Sequence, residues 1–198
     1  GGHRLEPSML ARTAMSSFSD AHELVEIPLI AANLHRLLLP RQNQIWAVLH
    51  RADSDERLAY SLAATFLGRM CLSGEITAIT DAQWALVERA MAFYGRVAPI
   101  LKRGVSRRHG DLGPSWRHPH GWQAMVRVSA DGREVLVVMH AFAQAPANVS
   151  VPLPSGAGWT LVEGFAATRI DGATVVGGEL RLPVTGDFTA QAWLLRRA

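Results

Sequence analysis

The feature that most constrains this chain is a single change of hydrophobic period around residues 104–114. Before it, apolar residues recur at spacings of three and four; after it, they alternate every second residue. The first spacing puts apolar side chains on one face of a helix, and the second puts them on one face of a strand. The pattern predicts helices mixed with short strands, followed by a run of antiparallel strands.

The first regime is punctuated by helix signals. Pro7 suits the first turn of a short helix over 7–13, and Ser16 to Asp20 reads as a strand reaching a loop. Pro28 opens a helix that Pro40 is expected to end. Ile45 to Leu49 is a candidate strand. Asp53, with Glu56 three residues on, is the expected cap of a helix running to about Phe66. Arg69 to Ser73 is a further strand, closed by Gly74. Thr80-Asp81-Ala82-Gln83 fits a capping box, and Trp84, Val87, Met91, Tyr94 and Ala98 supply an apolar stripe. Pro99 is expected to kink or end that helix, and Gly104 to stop it.

In the second regime Trp122, Ala124, Val126 and Val128 point one way; Gln123, Met125, Arg127 and Ser129 point the other. Asp131-Gly132 reads as a hairpin turn returning into Glu134 to Phe142. Further strands are expected at Val149 to Leu153, Gly158 to Phe165, Glu179 to Val184 and Phe188 to Leu195. Even spacing with Gly, Pro and Asp breakers argues for an antiparallel β-sandwich. The expected division is 1–112 and 113–198.

Composition narrows the function classes. The net charge of +3 is carried by dispersed basic residues without interleaved aromatics, so no nucleic-acid partner is expected. No stretch reaches the ~18 apolar residues of a membrane span, so no membrane partner is expected either. Cys71 is the only cysteine, which excludes an internal disulfide and a multi-thiolate zinc site. His118-Pro119-His120 lacks carboxylates at ligand spacing and reads as structural. No metal site is indicated by these residues.

The first twenty residues carry the chemistry. Gly1-Gly2-His3-Arg4 is followed, sixteen residues after Arg4, by the acidic residue of Phe18-Ser19-Asp20. These segments resemble the family 36 glycoside hydrolases, the α-galactosidase group. That family has a Gly-Gly-x-Arg turn after one barrel strand and a Ser-Asp pair at the end of the next. The region of Gly74, the helix beginning at Thr80, and Trp116-Arg117-His118-Pro119 leading to Gly121-Trp122-Gln123 are also similar. The resemblance implies the last strands and helices of a (β/α)8 TIM barrel followed by an antiparallel β-sandwich domain. A few βα units cannot close a barrel, so the missing N-terminal part of the same polypeptide is the expected partner of these strands.

The resemblance further implies an α-galactosidase-like retaining hydrolase acting on α-galactoside oligosaccharides. Asp20 would be its general acid/base, and the nucleophile would lie outside this chain. Retention needs two carboxyl groups about 5–5.5 Å apart, one attacking the anomeric carbon and one protonating the leaving oxygen. Arg4 would contact sugar hydroxyls or hold a carboxylate, Gly1 and Gly2 would line the subsite with backbone, and His22 would reach substrate from the same loop. Ala21 and His22 replace the Asn and Thr that commonly follow the pair, a departure that bears on the preferred sugar. Glu23 is the nearest rival carboxylate, and the polar loop Arg41 to Gln44 is a candidate outer subsite. Three other readings stand beside this one. Ser19-Asp20 also fits a helix cap. The β-domain also fits a non-catalytic carbohydrate-binding or structural module. A transglycosidase of the same family would use the same residues.

Overall fold

The structure is a computed structural model that describes residues 7–17, 25–114, 117–155, 158–168 and 171–198. Its first part contains helix α1 (Pro7–Leu10), helix α2 (Ile27–Leu34), strand β1 (Gln44–Leu49), helix α3 (Asp55–Thr65), strand β2 (Arg69–Gly74) and helix α4 (Asp81–Arg103). β1 and β2 are parallel, with Gln44 opposite Arg69 and Leu49 opposite Gly74. Parallel neighbours need a crossover, and α3 supplies it. Ser16 makes one parallel bridge beside β1, accepting from Gln44 N at 3.0 Å and donating to Gln42 O at 2.7 Å.

Two local expectations are corrected and two are refined. α2 ends at Leu34 rather than at Pro40, because the Leu34 carbonyl is taken by the amides of Leu37 and Leu38 in a tighter turn. α3 is capped by Ser54, whose Oγ accepts from Arg57 N; Asp53 instead accepts from His50 N and closes the preceding loop. α4 does not end at Pro99, which sits on its exposed side, but continues to the stop expected at Gly104. Its buried face is Gln83, Leu86, Val87, Ala90, Phe93, Val97, Ile100 and Leu101; of the expected stripe Val87 lies within that face, Trp84 and Tyr94 pack on the same core from its edge, and Met91 is 49% exposed. The aromatic cluster sets where that face is centred. Phe93 packs on Phe66 and Phe165 with ring centroids 5.1 and 6.3 Å away, a gain that Met91 or Tyr94 on the neighbouring face does not make.

The second part is a sandwich. One sheet holds β3 (Val105–Leu112), β4 (Gly121–Val128), β5 (Glu134–Ala141), β7 (Trp159–Phe165) and β10 (Ala190–Arg197), in the order β3-β4-β5-β10-β7. The other holds β6 (Asn148–Pro152), β8 (Thr174–Val176) and β9 (Glu179–Pro183), in the order β6-β9-β8. The pairings within both sheets are antiparallel. β3 precedes residue 113 yet pairs with β4 along its whole length. Neither β3 nor β8 is anticipated by periodicity: β3 is a polar edge strand and β8 is only three residues long.

Two apolar cores share the five-stranded sheet. Met125, Leu136, Val138, Ala192 and Leu194 face α3, α4 and β1 in one core. Ala124, Val126, Val137 and Leu195 meet Val149, Val151, Leu180 and Leu182 in the other. The expected alternation along β4 therefore holds, with helices on one side and a second sheet on the other. Gln123 and Arg127 fall on the helical side with 1% and 5% exposure. Burial of such groups requires partners. Gln123 Nε2 donates to Pro28 O at 2.9 Å, and Arg127 donates to Ile100 O and Leu101 O at the end of α4.

Candidate functional site

Asp20, Arg4, Gly1, Gly2 and His22, and with them Ser19, Glu23 and Trp116, lie outside the described residues. The structure does describe β1 and β2, and Ser16 and Ser17 beside β1. Ile45, Ala47 and Leu49 are buried toward the helices, whereas Gln44, Trp46 and Val48 alternate onto a half-exposed face. Their neighbours on β2 are Arg69, Cys71 and Ser73. Parallel partners share a face. Trp46 Nε1 donates to Ser17 Oγ at 3.1 Å, and Gln44 Nε2 lies 2.9 Å from Cys71 Sγ. The segment through Ser16 and Ser17 thus runs beside β1, in the same direction.

Polar side chains gather where β1 and β2 end. His50 Nδ1 lies 3.6 Å from Glu75 Oε2, which also accepts from Arg51 N at 3.2 Å. Arg51 reaches Ala78 O at 3.1 Å. The approach of the two strand ends depends on Gly74. Its φ is +86°, and a Cβ there would stand 2.3 Å from Leu49 O. Glu75 N donates to that same Leu49 oxygen at 2.7 Å, which sets the Glu75 side chain next to His50. Below the rim, Gln83 Nε2 donates to Arg51 O and Asp53 O at 3.1 and 3.0 Å, while its Oε1 accepts from Thr80 N. One buried amide therefore completes the capping box and ties down the loop that carries His50.

His50 and Glu75 are about half exposed, so their attraction is worth at most about 1 kcal/mol. Their chemical value is a donor and an acceptor side by side at a strand end, an arrangement that can read hydroxyl groups. In the sequence these residues carry no motif. Their only signal is position: each immediately follows the residue that closes a strand.

Other candidates are distributed away from this rim. Arg41 to Gln44 sits at the opposite, N-terminal end of β1. Asn43 is fully buried and Gln42 Nε2 is spent on Leu10 O and Thr13 O, so that loop is a structural joint rather than a subsite on the rim. Trp122 packs against the inter-sheet core, and His120 bridges to Ala143. Among the described residues no group of three His, Cys, Asp or Glu side chains could hold a metal, and no helix is long and apolar enough to cross a membrane.

No family model matches the sequence, and no curated protein matches it. Solved structures do resemble it in fold. The GH36 α-galactosidase AgaA of Geobacillus stearothermophilus superposes with a TM-score of 0.74 at 21% identity, covering 98% of this chain. AgaB of the same organism gives 0.68 at 22% identity over 91% of the chain. An α-galactosidase of Lactobacillus brevis gives 0.65 at 16% identity, also over 91%. The matched region is 27%, 25% and 26% of those proteins, so the chain spans about a quarter of their length. At these identities the shared property is the fold: a parallel strand–helix–strand unit and long helix leading into an antiparallel sandwich. The fold of this chain is that of a part of the GH36 α-galactosidases.

Proposed function

We propose that this chain is the C-terminal part of an α-galactosidase-type retaining glycoside hydrolase acting on terminal α-galactosides. The carrying observation is the fold match over 91–98% of the chain to α-galactosidases, one of them a variant of AgaA in complex with 1-deoxygalactonojirimycin. On this reading the residues before β3 end a (β/α)8 barrel whose other strands lie upstream, and β3 together with residues 113–198 forms the β-domain. The parallel order of the Ser16 segment, β1 and β2 supports it, because barrel strands are parallel and active sites collect at their C-terminal ends.

Asp20 is the general acid/base. It protonates the leaving glycosidic oxygen as an upstream carboxylate attacks the anomeric carbon, then takes a proton from the water that hydrolyses the glycosyl-enzyme. Arg4 holds sugar hydroxyls or the nucleophile's carboxylate; Gly1, Gly2 and His22 line the same subsite. His50 and Glu75 stand at the C-terminal ends of β1 and β2, the end at which a barrel site collects. The substrate is an α-galactoside oligosaccharide, and the reaction uses neither metal nor organic cofactor.

The test is Asp20→Ala in the longer polypeptide that carries this chain. Turnover of a natural galactoside should fall about 10²–10⁴-fold, the contribution of a positioned acid/base. Unchanged turnover removes Asp20 from the mechanism. The 198 residues alone should not hydrolyse an aryl α-galactoside, since one carboxyl group cannot fill both roles; measurable hydrolysis by them contradicts the reading.

A further inference from the structure

At the N-terminal ends of β1 and β2 lies a cavity of about 390 Å³ whose lining includes Arg41, Arg69 and Lys102. Its other walls are Ala14, Gln42, Gly68, Tyr94, Ala98 and Leu101, so no carboxylate is among its lining residues. Arg41 and Lys102 have no hydrogen-bond or ion-pair partner among the described residues. Arg69 is anchored by one bond, NH1 to Ala14 O at 3.1 Å. A guanidinium has five donors, so four remain for a ligand.

Three cations around one depression repel one another, and an anion seated among them relieves that repulsion. The side-chain types narrow the anion. Two arginines suit the paired oxygens of a phosphate, and a lysine adds a point charge that needs no fixed geometry. Two walls of the cavity are fixed by their own contacts. Gln42 is fixed by its bonds to Leu10 O and Thr13 O at 2.7 and 2.9 Å, and Gly68 approaches Asn43 O so closely that a Cβ would stand 2.3 Å away. Tyr94, Ala98 and Leu101 add an apolar wall with one hydroxyl, suited to a sugar-sized body rather than to a bare ion.

We infer that this cavity binds a phosphate monoester of hexose size, through Arg41, Arg69 and Lys102. The inference rests on these side chains alone and is independent of the glycosidase reading.

The experiment titrates the 198-residue chain with inorganic phosphate and with glucose 6-phosphate, at constant ionic strength balanced by sodium chloride. Binding is read by ³¹P line broadening and by the thermal midpoint. Glucose 6-phosphate should bind at least fivefold tighter than inorganic phosphate. Lys102→Ala and Arg41→Ala should each weaken it at least fivefold, since both side chains are exposed and hold no other bond. Arg107→Ala, which removes an exposed positive charge on β3 outside the cavity, should leave it unchanged. Absence of binding beyond that of chloride, full affinity in Lys102→Ala, or an equal loss in Arg107→Ala would each overturn the proposal.

Discussion

Arg127 Nε donates to Ile100 O at 2.8 Å, placing a guanidinium from β4 against the C-terminal end of α4. The same side chain donates to Leu101 O at 2.9 Å and to Ser106 Oγ at 2.6 Å. It is 5% exposed, and burial pulls its pKa down to about 10, still protonated at neutral pH. None of these three partners is a carboxylate; the charge faces carbonyls at the negative end of a helix. This one residue joins the helical layer to the sheet.

Replacing it tests that joint. Arg127→Met keeps much of the volume but leaves Leu101 O without its donor, while Ile100 O retains Gly104 N at 2.8 Å. The expected loss is about 2–3 kcal/mol, an orphaned carbonyl plus lost dipole compensation, reduced by relief from burying a charge. Arg127→Lys should also destabilise, because an ammonium cannot span all three acceptors. Urea unfolding of the three proteins checks both statements. A lysine variant as stable as the parent contradicts them.

Two histidines make stability depend on pH. Leu67 O only accepts, so His35 Nε2 must carry the proton toward it; Nδ1 then accepts from Ser106 Oγ at 2.9 Å. His140 Nε2 faces Tyr60 O at 3.3 Å, and its Nδ1 has no partner. Burial lowers the pKa of His35 to about 4 and that of His140 to about 3, against 6.5 for an ordinary histidine. Below about pH 6.5 the unfolded chain binds protons that the folded chain refuses, so stability falls as pH drops through that point. The loss saturates once each folded pKa is passed. Each group should remove about 2 kcal/mol between pH 8 and pH 5. A urea midpoint that does not move over that interval refutes the neutral, buried assignment.

Gln83 predicts a coupling between a helix start and the rim loop. Gln83→Leu preserves size but removes the amide that serves Thr80 N, Arg51 O and Asp53 O. The expected cost is about 1–2 kcal/mol, the range of a lost cap and its bonds. Hydrogen exchange supplies the sharper readout. The His50 and Asp53 amides should exchange faster in the variant, whereas those at the far end of α4 should not. Equal exchange in the loop would mean that Gln83 serves the helix alone.

Legibility followed the range of the forces involved. The capping box at Thr80 and Gln83, the glycine at the end of β2 and the alternation along β4 are written in neighbouring residues, and all three hold. The centre of the buried face of α4 was not, because Trp84, Val87, Met91 and Tyr94 make as regular a stripe as Leu86, Ala90, Phe93 and Val97. What separates them is Phe66 and Phe165, distant in sequence. β3 is hidden by its residues: Ser106, Arg107, Arg108 and His109 fit an edge strand that pairs on one side only. At the candidate site, the motif at the start of the chain is legible, while His50 and Glu75 are not. Their closeness is a product of parallel register, which periodicity does not specify.

Gly74 and Gly132 separate backbone strain from crowding. Both have positive φ, +86° and +71°. A Cβ at Gly132 meets nothing within 4 Å, whereas one at Gly74 would press on Leu49 O and Leu49 N at 2.3 and 2.8 Å. Gly132→Ala should therefore cost only the left-handed strain, about 1–2 kcal/mol. Gly74→Ala adds overpacking against strand backbone that has no rotamer to yield, a further 1–3 kcal/mol or so. It should also push the ends of β1 and β2 apart and lengthen the 3.6 Å approach of His50 and Glu75. Urea unfolding gives the two costs, and the His50 imidazole resonances report the local displacement. If Gly74→Ala proves no more costly than Gly132→Ala, the close approach that assembles the rim is not there.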